Sequence, residues 1–373
     1  MAQRRPYAIT MWDFSWLERR WPGAGYENPA RALDELVERG YDAVRIDAYP
    51  HLVGADPTAE HELVPLWTLQ DWGACGRTRV RVQPALSEFM AACADRGVAV
   101  ALSSWYRQDT DDVRMRIQTP VDHAAGWLAV LEGLAQDGLL EHVLFVDLCN
   151  EFPMDLWAPF LHRDGWVHRN SVAGAAWMRE AAGLLRDRFP QLPYTFSMSE
   201  EFDRLGEEVV DMHDLLELHL WMAHWTDFYT EVGYHSHLTD PTGYDNLARS
   251  GEALYRSRPG YWQAGLTRAV DTAAGWSRAT GLPLVTTECW GVVDYKDWPL
   301  LDWGWVKELC EVGVGLATET GRWAAVATSN FCGPQFRGMW RDVEWHRRLT
   351  DQIRSARLEV PIAPRAALAS GRP

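Results

Sequence analysis

Two glutamates stand at the ends of two strongly apolar runs. Val143-Leu-Phe-Val-Asp-Leu-Cys-Asn closes on Glu151, and Leu282-Pro-Leu-Val-Thr-Thr closes on Glu288. Each run reads as a buried strand that stops at a carboxylate. Two carboxyl groups in one pocket are the minimum equipment for cleaving a glycosidic bond: one protonates the departing oxygen, the other attacks the sugar carbon. Asn150 adds an amide beside the first, suited to hydrogen-bond a sugar 2-hydroxyl. Whether the pair meets depends on the elements that carry it.

Strand-like and helix-like patterns alternate from end to end. Strands are predicted at Tyr7–Trp12, Ala43–Tyr49, Val98–Trp105, Val143–Glu151, Tyr194–Ser199, Leu215–Trp221, Leu284–Glu288 and Trp323–Asn330. Helical patterns lie between them near 29–39, 83–96, 121–136, 169–188, 203–212, 262–280, 302–313 and 342–356. Gly40, Gly97 and Gly281 punctuate helix ends just before the next strand. Eight strand–helix pairs predict a single-domain (β/α)8 barrel over residues 1–357, followed by a frayed tail over 358–373. Long loops are expected at about 50–82 after strand two and about 222–261 after strand six, at the end where barrel active sites form. There Glu151 and Glu288 end strands four and seven.

Other strand ends carry candidate partners. In Val44-Arg45-Ile46-Asp47, alternation turns Arg45 and Asp47 to one face. Arg45 could hold a carboxylate ionised through charge-assisted hydrogen bonds. Asp47 could pair with Arg45 or hold a sugar hydroxyl. Strand one ends at Asp13, a partner for hydroxyls at a non-reducing end or an N-cap for the next turn. Strand six carries His219 and Trp221, strand three ends at Trp105, and strand eight ends at Asn330.

Taken in order, Arg45, Asn150-Glu151, His219 and Glu288 resemble the motifs of clan A glycoside hydrolases, most closely the cellulase-like enzymes around glycoside hydrolase family 5. The resemblance implies a retaining β-glycosidase without cofactor or metal. It implies Glu151 as acid/base and Glu288 as nucleophile, with Arg45 against the nucleophile. Glu151 is then expected to be protonated near neutral pH, and Glu288 ionised. The chain departs from the family at Trp221, where a tyrosine is common. It departs again at Ser103-Ser104-Trp105, where a histidine is frequent, and at strand eight, which lacks the tryptophan that floors the sugar. Phe331 or Trp290 could replace that ring. These departures fall where the sugar is chosen.

Composition narrows the partners. A net charge of −16 disfavours nucleic acid and anionic membrane surfaces. No apolar stretch approaches the ~20 residues that span a bilayer, and no signal peptide is read, so a cytosolic enzyme is expected. That location favours imported oligosaccharides or small glycosides. Tryptophan is abundant, 21 residues against 11 Phe and 12 Tyr. Many sit in loop-like contexts (Trp67, Trp72, Trp105, Trp157, Trp225, Trp290, Trp298, Trp303), where indole faces could stack on pyranose rings. The six cysteines read as reduced thiols, with Cys149 and Cys289 packing beside the glutamates. The acidic run Asp109, Asp111 and Asp112 reads as a solvated loop. Rival readings are a transglycosylase on the same residues, a catalytically silent sugar-binding barrel, and a metal-dependent barrel isomerase using His219, His224 and the two glutamates.

Overall fold

Short runs rich in Val, Leu, Ile and Ala form parallel strands buried on both faces, as a sheet covered by helices requires. The computed structural model describes residues 3–69, 73–199, 202–234, 241–295, 297 and 301–365. The barrel strands are β1 (Tyr7–Asp13), β2 (Ala43–Asp47), β3 (Ala99–Ser103), β4 (Val143–Asp147), β5 (Tyr194–Thr195), β6 (Leu216–Glu217), β7 (Leu284–Thr286) and β8 (Trp323–Ala327). Their order is β5-β4-β3-β2-β1-β8-β7-β6, parallel throughout. A parallel bridge between Met198 and Leu218 joins the two ends. There the Met198 N–H donates to Glu217 O at 3.1 Å and the His219 N–H to Met198 O at 2.9 Å. The fold is the expected (β/α)8 barrel.

Local chemistry sets the helix starts. Asn28 caps Pro29–Glu38, Ser171 caps Val172–Arg188, and Thr119 and Asp122 form a reciprocal capping box on Pro120–Gln136. Gly281, at φ +77°, ends Pro259–Thr280 in the left-handed region that glycine enters without penalty. The expected helix at 203–212 is only a 3₁₀ segment, Phe202–Glu207. Gly206 and the charged run around it offer no apolar stripe to pack. The connection after β6 departs the other way: Pro241–Ser257 is a full helix inside the expected loop. The connection after β2 holds the helix Pro50–Ala55 and an antiparallel pair, His61–Leu63 with Thr78–Val80.

The tail is not frayed at its start. Ile362 N–H donates to Gln3 Oε1 at 2.9 Å, and Arg365 N–H to Asp214 Oδ1 at 2.6 Å. Trp72, Trp298, His235 and His237 lie outside the described residues, as do residues 366–373 of the tail. The tryptophans are mostly core. Ten of the twelve largest fully buried side chains are indoles, Trp105, Trp157 and Trp290 among them, so abundance alone was a poor signal of a sugar platform.

Candidate active site

Arg45 is the hub. It projects from the middle of β2 into the barrel mouth, fully buried, with its guanidinium 4.7 Å over the Trp105 ring. One terminal nitrogen donates to Thr287 Oγ1 at 3.0 Å and Glu288 Oε1 at 3.2 Å. The other donates to Ser103 Oγ at 2.9 Å, Asp147 Oδ2 at 2.5 Å and Asn150 Oδ1 at 2.7 Å. A cation stripped of water needs this many acceptors to repay its desolvation. Because arginine only donates, the Asn150 atom facing it is the oxygen, which leaves the amide NH2 as the donor end.

β4 ends at Asp147, and Glu151 lies four residues beyond, at φ +48°. Its N–H donates to Ser197 Oγ at 2.9 Å, and its Oε2 accepts from Trp157 Nε1 at 3.2 Å. Glu288 lies two residues beyond β7. His219 joins the two: its Nδ1 is 2.9 Å from Glu151 Oε1 and its Nε2 is 3.7 Å from Glu288 Oε1. On its far side, Nε2 is 2.8 Å from Glu217 Oε2. Glu217 is buried, and its other oxygen accepts from Thr287 N–H at 3.1 Å and Thr287 Oγ1 at 2.6 Å. One donor atom each of Glu151, His219 and Glu288 lies within 4.8 Å of the others, a spacing that could also hold a cation.

The electrostatics shift both carboxyls in the direction opposite to the expected proton placement. Burial pushes the Glu288 carboxyl up to about 7, against the pull of His219 and Arg45 and with the push of the Glu151 charge. Burial would also raise Glu151, but the hydrogen bond and charge of His219 hold it below the usual carboxylate value. Burial would lower His219, yet Glu217 and Glu288 raise it well above an ordinary imidazole, so it stands as imidazolium between carboxylates. Glu217 itself would rise on burial and is held at about 2 by His219 and Arg45. Arg45 therefore does not offset the burial of Glu288, to which the charges of Glu151 and Glu217 add.

The other expected residues divide. Asp13 and Asn330 are buried at the ends of the neighbouring strands β1 and β8, and Trp221 is buried just past β6. Asp13 Oδ2, Asn330 Oδ1 and Trp221 Nε1 are buried and have no hydrogen-bond partner among the described residues. Burial raises the Asp13 carboxyl well above its usual value, and the charge of Glu288 contributes. Asp13 Oδ1 also accepts from the Ser15 N–H in a local turn, but the N-cap position of the following helix is Phe14, so Asp13 is not the expected cap.

Asp47 neither pairs with Arg45 nor offers a spare oxygen, since it accepts from Tyr49 N–H at 2.7 Å and Trp105 N–H at 3.1 Å. Trp105 supports Arg45 from beneath. Trp290 turns out of the mouth: its indole N–H donates to Ala327 O at 2.8 Å and its ring packs on Gly313, where a Cβ would collide with it. Phe331 packs its ring on Trp303 and Phe336, inside the aromatic core.

Asp109 is buried rather than solvated, accepting from Val113 N–H at 2.8 Å and pairing with His61 at 3.1 Å. Cys149 and Cys289 are buried, and burial raises both thiols well above their usual value, as packing residues require. Sequence reasoning missed Asp147 and Glu217, and it read Trp157 as a sugar platform rather than as a donor to Glu151. Glu217 had a signal, the two-residue step to His219 on a strand, which points both side chains inward.

Barrel, strand-end glutamates and buried arginine together define the glycoside hydrolase-like cellulase fold. The chain belongs to the cellulase-like family, described as sugar-binding cellulase-like, which it matches over residues 9–354. It is 50% identical to a candidate glycoside hydrolase from Parabacteroides distasonis, with a TM-score of 0.93 over 95% of each chain. A glycoside hydrolase family 5 subfamily 18 protein of Streptomyces cattleya, solved with GlcNAc, shares the fold at 12% identity and a TM-score of 0.53 over 96% of this chain and 82% of that one. A glutamate-to-alanine variant from the same subfamily and organism, solved with Manβ1-4GlcNAc, gives 13% and 0.52 over 92% and 80%. No curated protein matches. Among the described residues, no helix is long and apolar enough to cross a membrane.

Proposed function

We propose that the chain is a retaining glycoside hydrolase acting on a β-linked oligosaccharide or small glycoside, with Glu288 as nucleophile and Glu151 as acid/base. The observation that carries this reading is the close approach of the two carboxylates, one oxygen of each lying within 4.8 Å of the other. Retaining enzymes hold their carboxyl groups ~5–5.5 Å apart, whereas inversion needs ~6.5–9.5 Å to admit a water.

In the first step Glu288, ionised, bonds to the anomeric carbon while Glu151 delivers a proton to the leaving oxygen. In the second, Glu151 takes a proton from water, which displaces Glu288 with net retention. Glu288 must lose its own proton, and His219, whose Nδ1 lies 2.9 Å from Glu151, is placed to supply the proton that Glu151 gives away. Glu217 keeps the other ring nitrogen protonated, so His219 can part with one proton and remain a neutral imidazole. The Asn150 amide is offered to the 2-hydroxyl, and Asp13, Asn330 and Trp221 to further hydroxyls.

The same donor spacing could also hold a cation, with Glu151, His219 and Glu288 as its ligands, and a stoichiometric tightly bound ion would favour that second reading. The test is a panel of α- and β-linked nitrophenyl glycosides, repeated with Glu288→Gln. Turnover of at least one β-glycoside that disappears in the variant is expected. A wild type inactive on the whole panel, or a fully active variant, would sink the reading.

A further inference from the structure

Beside Glu151 lies a cavity of about 240 Å³ that none of the proposed sugar-holding residues lines. Its walls include Glu151, Met154, Asp155, Trp166, Arg169 and Met198. The segment 151–169 builds most of it. Met154 N–H donates to Glu151 O at 2.8 Å, Trp157 N–H to Met154 O at 3.0 Å, and Arg169 Nη1 to Phe152 O at 2.9 Å. The stretch that carries Glu151 is thus tied to the cavity wall.

Trp166 is the conspicuous member. At 58% exposure it is the most exposed aromatic side chain among the described residues, in a chain whose tryptophans are otherwise mostly core. It is not loose: one face stacks on His162 at 4.4 Å with 15° between planes. His162 is held in turn by Val167 N–H, donating to its Nδ1 at 3.1 Å, and by its Nε2, 2.5 Å from Pro153 O. An indole stacked on His162 and met by the edge of His168 at 6.2 Å, yet still more than half exposed, is a poor packing choice and a good stacking platform.

The polar groups say what kind of ring it takes. Arg169 has no spare donor for an anion: its nitrogens are spent on Glu208 at 2.7 Å and on the carbonyls of Phe152, Phe196 and Ser197 at 2.9–3.1 Å. Asp155 is exposed and joins no ion pair among the described residues, so it can accept hydroxyls. Glu151 is also the more open of the two carboxylates, at 11% side-chain exposure against 5% for Glu288. An acid that must meet the leaving oxygen has to open toward the leaving group.

We propose that this cavity receives the leaving group, and that Trp166 stacks an uncharged ring there, either a second sugar or an aromatic aglycone. The inference rests on the hydrolase reading above. It is tested by the indole N–H resonance of Trp166, identified as the signal lost in Trp166→Phe, in the Glu288→Gln background. The probes are the methyl and phenyl β-glycosides of glucose, galactose and mannose, and the corresponding β1,4-linked disaccharides.

A saturable shift with phenyl glycosides or disaccharides, but not with methyl glycosides, is expected; which of the two shifts it identifies the ring. Turnover of the responding glycoside by Trp166→Ala should then show a KM raised roughly three- to tenfold, with the methyl glycoside unchanged. A Trp166 signal unmoved by every probe overturns the inference, even where the nitrophenyl panel is turned over and the hydrolase reading stands.

Discussion

The two glutamate-bearing strand ends are built differently. At β7, Glu288 follows its strand by two residues, is almost wholly buried, and meets a guanidinium and an imidazolium. At β4, Glu151 follows by four residues on a left-handed backbone and borders an open cavity, with an indole N–H and His219 on its oxygens. The contrast matches the two chemical tasks. A nucleophile needs a fixed position and a tunable charge, whereas an acid/base needs a proton source and access to leaving group and water. What joins the ends is a shared pool of protons around His219, not two independent carboxyls.

The sharpest way to break this comparison is to remove each carboxyl in turn. Glu288→Gln should lower kcat by at least about 10⁴-fold on every substrate, since no bond to the sugar can form. Glu151→Gln should cost about 10²–10⁴-fold on glycosides with basic leaving groups, yet leave the pre-steady-state burst of dinitrophenolate nearly intact. Equal losses on both substrate types would erase the distinction between the sites.

Arg45 ties the ends together, and Arg45→Met would leave Asp147 and Glu288 buried without their cation. A loss of about 3–5 kcal/mol in urea unfolding is expected, beyond any loss of activity. Unchanged stability would mean that the network relaxes without it.

The proton pool should show in the pH profile. With the free-enzyme Glu288 at about 7, kcat/KM should rise with pH through about 7 as that carboxyl ionises. It should fall again at higher pH, when the raised His219 proton is lost. Glu217→Gln removes the charge that holds His219 protonated, so the alkaline limb should move to lower pH, with activity at alkaline pH down about tenfold and KM little changed. An unmoved alkaline limb would detach His219 from the acid/base.

Much of this was legible beforehand. The barrel was readable because eight apolar runs alternate with helical patterns, and the two glutamates because strand ends are where barrels do chemistry. Proton placement was not, since it depends on how many charges converge. Sequence pairs Arg45 with one carboxylate, while the fold gives it Asp147 and Glu288 and sets Glu217 close by. Asp47 misled because strand alternation fixes a face but not a partner, and two backbone N–H groups claimed it first. Trp290 misled because alternation predicts that a residue two beyond Glu288 shares its face, whereas a backbone φ of +89° breaks the alternation and the ring packs against Gly313. Trp166 went unnoticed because exposure is decided by folding, although its polar neighbours Arg163, Asp164 and His168 were a signal.

The central claim is that Glu151 and Glu288 act in two displacements on one anomeric carbon. The measurement that meets it most directly is proton NMR of the first product formed from the best β-glycoside of the panel. The β-anomer should appear first and mutarotate afterward to the equilibrium mixture. Initial release of the α-anomer would show a single inverting displacement and contradict the account.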